Sequence, residues 1–251
     1  MSFVGQFLAG VGMLCLLGQS TSAAEFNDQQ KRELSIIIKE YLIQNPEVIR
    51  EALQELERRQ VVEASDKAKK TISSRAKEIY QSKEDLVLGN ANGEVAMVEF
   101  FDYNCGYCKR AIPEVEKLIQ SDKKVKVIIK EFPILGPGSI FAAKAAIASR
   151  LQSKYVEFHN AMTATEGTKD ESNVLEIAKQ VGLDVERLKV DMESEAVADV
   201  IRRNYNLAEA LSINGTPSFI IDDALEHGYV SFDVLVQHVA TVRQNGGCKV
   251  C

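Results

Sequence analysis

The sequence predicts an α/β fold extended by a helical N-terminal segment, and three observations carry that prediction. Val95–Phe101 and Val125–Phe132 are apolar runs of strand length on either side of a helical pattern, which makes a βαβ unit. Residues 139–212 then read almost wholly as helix, an insertion ahead of a third strand at Ser218–Asp222. Before all of these, Asp28 to about Gln81 is rich in charge, holds no glycine and one proline, and repeats apolar residues at three- and four-residue spacing.

In that first segment Leu34, Ile37, Ile38, Tyr41 and Leu42 form one stripe, and Val48, Ile49, Ala52, Leu53 and Leu56 form another. Between them Asn45 reads as an N-cap and Pro46 as the first residue of a second helix. Left in water, each Leu or Ile of such a stripe forfeits roughly 1.5–3 kcal/mol of burial. The stripe therefore needs a partner surface, either the chain's own globular part or, as favoured here, the same segment of another copy. Val61–Gln81 reads as a solvated helical connector and Leu86–Gly93 as turn residues before the first strand. The insertion divides into helical patterns at Phe141–Met162, Ser172–Val181, Val185–Met192 and Ala196–Ser212. A short strand near His227–Val230 and a helix at Phe232–Arg243 complete the order.

The chain has 251 residues, 45% of them hydrophobic, enough for one main domain and a smaller appendage. Its 30 basic and 36 acidic residues are interspersed and give a net charge of -6, so no basic face is expected and no nucleic-acid partner. Phe7–Leu17 is mostly apolar and leads into a small, polar stretch ending at Ala24, the pattern of a secretory signal peptide over residues 1–24. It lacks a Lys or Arg ahead of the apolar run, which leaves a buried or membrane-tethering N-terminal helix as the alternative. The run is shorter than the ~20 residues that span a bilayer. Cleavage would remove Cys15 and leave four cysteines in two Cys-x-x-Cys pairs, an even count that fits an oxidising compartment such as the periplasm.

Cys105-Gly106-Tyr107-Cys108 follows the Asp102-Tyr103-Asn104 turn and opens a helical pattern. A thiol at a helix start meets backbone N–H groups and the positive end of the helix dipole, both of which favour its thiolate. The second thiol, one turn on, is placed to attack a mixed disulfide and release the bound partner. Cys105 is thus the expected nucleophile and Cys108 the resolving thiol. Taken alone the pair is weak, because half of a zinc site has the same spacing.

The segment Glu99-Phe100-Phe101-Asp102-Tyr103-Asn104-Cys105-Gly106-Tyr107-Cys108, together with Thr216-Pro217 and the intervening helices, resembles the DsbA-like thioredoxin-fold family over residues 85–245. That resemblance implies a thioredoxin fold with a helical insertion, preceded by an N-terminal helical stalk. It implies that Glu99, six residues before Cys105, is a buried acid handling protons, against the plainer reading of a partly exposed strand residue. It also implies a cis bond at Pro217 and a loop at Thr216 that pairs with extended substrate. Gly-Tyr between the cysteines lacks the Pro-His of strong oxidases, so a less acidic Cys105 is expected. Gly-Tyr and Thr216 look like the DsbC-type isomerases, and the whole layout resembles the Com- and ScsC-like bacterial subgroup.

The resemblance implies a secreted thiol-disulfide oxidoreductase, favoured as an isomerase or reductase of exported proteins. The alternatives are a dedicated oxidase and a metal-binding or surface protein that retains the fold. Unfolded or misoxidised exported proteins and a membrane redox partner are the expected partners, with a homo-oligomer, dimer or trimer, formed through residues 28–60. The implied domains are a signal peptide at 1–24, a helical segment at 25–84, the main domain at 85–245 and a cysteine-containing tail at 246–251. In that tail Cys248 and Cys251 could pair with each other, pass electrons to the active site, or bind a soft metal. With 139 residues between Cys108 and Cys248, against about 15–20 in common zinc modules, the two pairs do not read as one zinc site. No cofactor is expected, and His159, His227 and His238 read as surface or packing residues.

Overall fold

The computed structural model describes residues 26–251, so the signal peptide and Cys15 lie outside the described residues. The chain divides into two compact units at Glu57/Arg58. In the first, α1 (Asp28–Gln44) opens on a reciprocal cap: Gln30 N–H donates to Asn27 Oδ1 at 2.9 Å and Asn27 N–H to Gln30 Oε1 at 3.0 Å. Asn45 closes this helix, its backbone N–H and side-chain amide both donating to the Tyr41 carbonyl at 2.8 Å. The N-cap expected at Asn45 is therefore a C-cap, and α2 (Glu47–Ser74) begins one residue after Pro46. The physical reason is that proline disfavours helical backbone in the residue before it, which ends α1 there. No residue of α1 is buried, and Leu34, Ile37, Ile38, Tyr41, Ile49, Leu53 and Leu56 are all exposed in the single chain.

The second unit is built on a five-stranded sheet in the order β1-β3-β2-β4-β5. Its strands are β1 (Leu86–Gly89), β2 (Val95–Phe101), β3 (Val125–Glu131), β4 (Ser218–Ile221) and β5 (Ala224–His227). β2 and β3 run parallel, joined through α4 (Gly106–Ser121), and every other pairing is antiparallel. All seven residues of β2 are buried, and the strand period sends them alternately to two cores. Val95, Met97 and Phe101 join Val115 and Leu118 of α4 and Leu235 and Val239 of α10 (Phe232–Gln244). Ala96, Val98 and Phe100 join Ile72 of α2 and Ile79 and Tyr80 of α3 (Ala76–Tyr80), with Leu207 and Leu211 beyond.

Three expectations change here. The supposed solvated connector ends in Ile72, Ile79 and Tyr80, all inside the second core; the segment is sparse in apolar residues, but those three meet the sheet. Leu86–Gly89 is a strand, pairing Leu86 with Ile129 and Leu88 with Val127, and the turn is confined to the residues that follow. Gly93 in that turn has no alternative, since a Cβ there would lie 2.7 Å from the Lys126 nitrogen. The last strand comes earlier than expected, because Asp222 takes a left-handed backbone (φ 53°) that folds β4 directly into β5.

The insertion comprises α5 (Pro137–Ser149), α6 (Tyr155–Ala164), α7 (Glu171–Gln180), α8 (Val185–Met192) and α9 (Glu195–Ala210). One expected helix over 141–162 is split by a short turn at which Ser153 is left-handed. Among the described residues no helix is long and apolar enough to cross a membrane. Under the second core, Lys130 Nζ contacts buried Asp85 at 2.5 Å and donates to the Glu78 carbonyl at 2.6 Å. Burial pushes the Asp85 carboxyl up to about 6, against the opposing pull of Lys130. Removing one member of such a pair strands the other charge, so Asp85→Ala is expected to cost about 3–5 kcal/mol of stability. Urea denaturation would show it as a lowered midpoint, with much of the loss recovered in Asp85→Leu/Lys130→Met.

Candidate active site

Buried β2 carries the chain up to a tight loop, and that loop sets the start of α4. Asp102 anchors it. Its buried carboxylate accepts from Asn104 N–H (2.8 Å), Ser139 Oγ–H (2.7 Å) and the backbone N–H groups of Ile134 and Leu135 (2.9 and 3.0 Å). Asn104 extends the tie to the insertion: its Oδ1 accepts from Lys169 N–H at 2.6 Å and its Nδ2 donates to the Lys169 carbonyl at 3.2 Å. Sequence reasoning treated Asp102 and Asn104 only as turn residues. The signal available was an Asx pair immediately ahead of the Cys-x-x-Cys, but its partners at 134–139 and 169 are visible only in three dimensions.

Cys105 is the N-cap of α4, its Sγ accepting from the Cys108 backbone N–H at 3.4 Å. Both thiols are free, with Cys108 fully buried and Cys105 6% exposed. Tyr107, 60% exposed, stands beside them with the Arg110 guanidinium 5.9 Å from its ring centre. The Cys108 thiol hydrogen-bonded to Cys105 does most to hold the Cys105 thiol down to about 5. Thr216 and the N–H groups of Cys108 and Tyr107 add to this against the cost of burial. Donors within the motif and from the Thr216 side chain lower the Cys105 pKa with no histidine present. Burial pushes the Cys108 thiol up instead. One thiol is thereby poised as a thiolate at neutral pH and the other kept as a proton donor.

The Thr216–Pro217 bond is cis, and the Thr216 carbonyl lies 3.1 Å from Cys105 Sγ, 111 residues distant in sequence. Beside this loop a hollow of about 360 Å³ is lined by Ser212, Asn214, Thr216, Pro217 and His227. Glu99 lies on β2 between Ile129 and Phe219, fully buried, its Oε1 without a hydrogen-bond partner. Burial, reinforced by the charge on Cys105, pushes its carboxyl up to about 8. It borders a groove of about 460 Å³ also lined by Ile112, Val115 and His159. His159 is a packing residue, buried 2.8 Å from the Tyr103 hydroxyl, which itself donates to Glu131.

Cys248 and Cys251 are disulfide-bonded to each other and not brought to this site. Cys251 Sγ lies 3.9 Å from the Ala96 carbonyl, at the opposite end of β2 from Cys105. The stretch from Ala96 to Phe101 alone separates the two by about 16 Å at ~3.3 Å per strand residue.

The DSBA-like thioredoxin domain model matches residues 96–240, and the model of the copper resistance protein ScsC N-terminal domain matches residues 30–61. A thioredoxin-like oxidoreductase from Silicibacter pomeroyi DSS-3 is 46% identical (TM-score 0.66), covering 67% of this chain and 97% of its own. The thiol-disulfide exchange protein alpha-DsbA2 of Wolbachia pipientis is 31% identical (TM-score 0.65), covering 71% and 97%. Proteus mirabilis ScsC in a transitional conformation is 25% identical (TM-score 0.64), covering 88% and 100%. Among curated proteins, Na(+)/H(+) antiporter NhaA 3 of Salinispora tropica is 28% identical over 171 residues, 65% of this chain, and the chain spans only 26% of that protein's length.

The acidity of Cys105 has a direct readout. Thiolate forms as pH rises through the thiol pKa, so alkylation of Cys105 should accelerate through a midpoint near pH 5 and level off above it. Cys108→Ala removes the leading donor and should move that midpoint upward, as followed by thiolate absorbance. With its family model matched across more than half of its length, this chain belongs to the DSBA-like thioredoxin domain family.

Proposed function

We propose that the protein is a thiol-disulfide oxidoreductase of exported proteins, acting as an isomerase or reductase through Cys105 and Cys108. The carrying observation is the asymmetric dithiol: Cys105 held down to about 5 and Cys108 buried behind it. In this reading the Cys105 thiolate attacks a substrate disulfide and forms a mixed disulfide, expelling one substrate thiolate. Cys108 then gives up its proton and attacks Cys105 Sγ, releasing the second substrate thiolate and leaving Cys105–Cys108 oxidised. Alternatively, the freed substrate thiolate attacks elsewhere in the same chain, and the net result is isomerisation. Glu99, buried with an unpaired oxygen and raised to about 8, is suited to take the Cys108 proton. The hollow beside Thr216–Pro217 is where an extended substrate would add its backbone.

Two features support isomerase action. The exposed apolar residues of α1 and α2, in the region matching the ScsC N-terminal domain model, suit self-association that would bring several dithiols around one substrate. The Gly-Tyr dipeptide agrees with it. A dedicated oxidase is the second reading, favoured by the acidity of Cys105, because a stabilised thiolate makes the dithiol form easier to reach and the disulfide more oxidising. A membrane redox partner would reset the dithiol in the first case and the disulfide in the second. Periplasmic location belongs to the same reading.

Refolding of a scrambled, many-disulfide substrate separates the two. The isomerase reading requires recovery of native substrate by the reduced protein, and fails if only simple dithiols are oxidised. Cys105→Ser should abolish exchange, while Cys108→Ser should accumulate the mixed disulfide, visible on non-reducing gels. Light scattering should give a dimer or trimer for the intact chain and a monomer after residues 1–60 are removed; a monomer in both would end the oligomer reading.

A further inference from the structure

The Cys248–Cys251 segment is not a loose appendage. Gly246 and Gly247 take left-handed backbones (φ 91° and 100°) and turn the chain back after α10. Cys248 then packs on the first core, and Val250 and Cys251 pack on the second. Asp222, 5% exposed at the β4–β5 turn, receives the segment: its Oδ1 accepts from Lys249 N–H at 2.8 Å and Val250 N–H at 3.2 Å, with Cys248 Sγ at 3.4 Å. The Tyr80 hydroxyl, donating at 2.5 Å to the Asp222 carbonyl, fixes that residue from the other side. Among the described residues, Asp222, Cys248 and Cys251 form a cluster whose ligand atoms all lie within 4.8 Å of one another.

From this placement we propose that Asp222, Cys248 and Cys251 form a redox-gated zinc site, closed while the cysteines are joined and opened when they are reduced. In the gating step a dithiol reductant passes two electrons to the Cys248–Cys251 bond; that bond breaks, the reductant becomes a disulfide, and its two protons end on the two protein thiols. Zinc(II) then displaces both protons and takes two thiolate sulfurs and one carboxylate oxygen, with water completing a tetrahedron.

Two arguments favour a cation over a bare dithiol. The ligand atoms are already oriented by amide donors: Cys251 N–H donates to Cys248 Sγ at 3.1 Å, and two N–H groups hold Asp222 Oδ1. Such donors to ligand atoms are the outer support that metal sites use. Mixed sulfur and oxygen donors suit borderline zinc better than a cation that prefers oxygen alone. Asp222 is the ligand that sequence spacing could not supply, because it lies 26 residues before Cys248 and meets it only through the β4–β5 turn.

The test uses the full chain carrying Cys15→Ser, Cys105→Ser and Cys108→Ser, so that only Cys248 and Cys251 remain as thiols. After reduction with a phosphine and its removal, this protein should bind one zinc(II) per chain in competition with a chromophoric chelator. The same protein oxidised should bind none. Adding Cys251→Ser should abolish uptake, and adding Asp222→Asn, which keeps the turn and its side-chain carbonyl, should weaken it by about 10-fold or more. Absence of zinc uptake by the reduced protein, equal uptake by the oxidised protein, or unchanged affinity in Asp222→Asn would each overturn the proposal.

Discussion

The burial of β2 on both faces is the constraint from which the rest follows. Its seven residues have no solvent side, so they feed two cores at once, and each core demands its own helices. One face requires α4 and α10; the other requires the end of α2 with α3 and α9. A strand pinned in this way delivers the loop at Asp102–Asn104, and hence the first turn of α4, with little freedom. The Cys105 thiol is therefore held in place by the core.

That placement sets the chemistry through two opposed effects of burial. At Cys105, N–H and thiol donors outweigh the cost of desolvating a thiolate, and its pKa falls. At Cys108 and Glu99, one turn or one strand deeper, few donors reach the group and desolvation wins, so both are raised. A thiolate at the surface edge and two proton-holding groups behind it form a gradient from anion to acid over a few residues. Such a gradient is what thiol exchange needs, because the attacking and resolving sulfurs must ionise in turn.

The two ends of β2 carry different cysteine pairs, and the difference lies in their surroundings. Cys105–Cys108 sits at a helix start, where the Cys108 backbone N–H reaches Cys105 Sγ, near the hollow beside Pro217. Cys248–Cys251 is joined as a disulfide beside the Asp222 carboxylate and packs on both cores. The same Cys-x-x-Cys spacing thus meets different surroundings at the two ends of the strand.

Much of this was legible in the chain itself. Apolar runs of strand length, three- and four-residue stripes and the Cys-x-x-Cys after an apolar strand depend on neighbours in sequence, and they located β2, α4, β3, β4 and most of the insertion correctly. Glu99 and Thr216–Pro217 were reachable through family resemblance alone. What tertiary structure decided was everything that turns on distant partners. Leu86–Gly89 became a strand because β3 offered an edge; Ile72, Ile79 and Tyr80 became core because the sheet lay beneath them; Asn45 closed a helix because Pro46 followed it and Tyr41 offered a carbonyl. Cys105 is held acidic without a histidine because the side chain of Thr216, distant in sequence, adds to the donors of its own motif. The Cys-x-x-Cys motif could be read locally because helix-start geometry is local, whereas thiol acidity and the docking of the second pair at Asp222 depend on burial and on donors that only folding assembles.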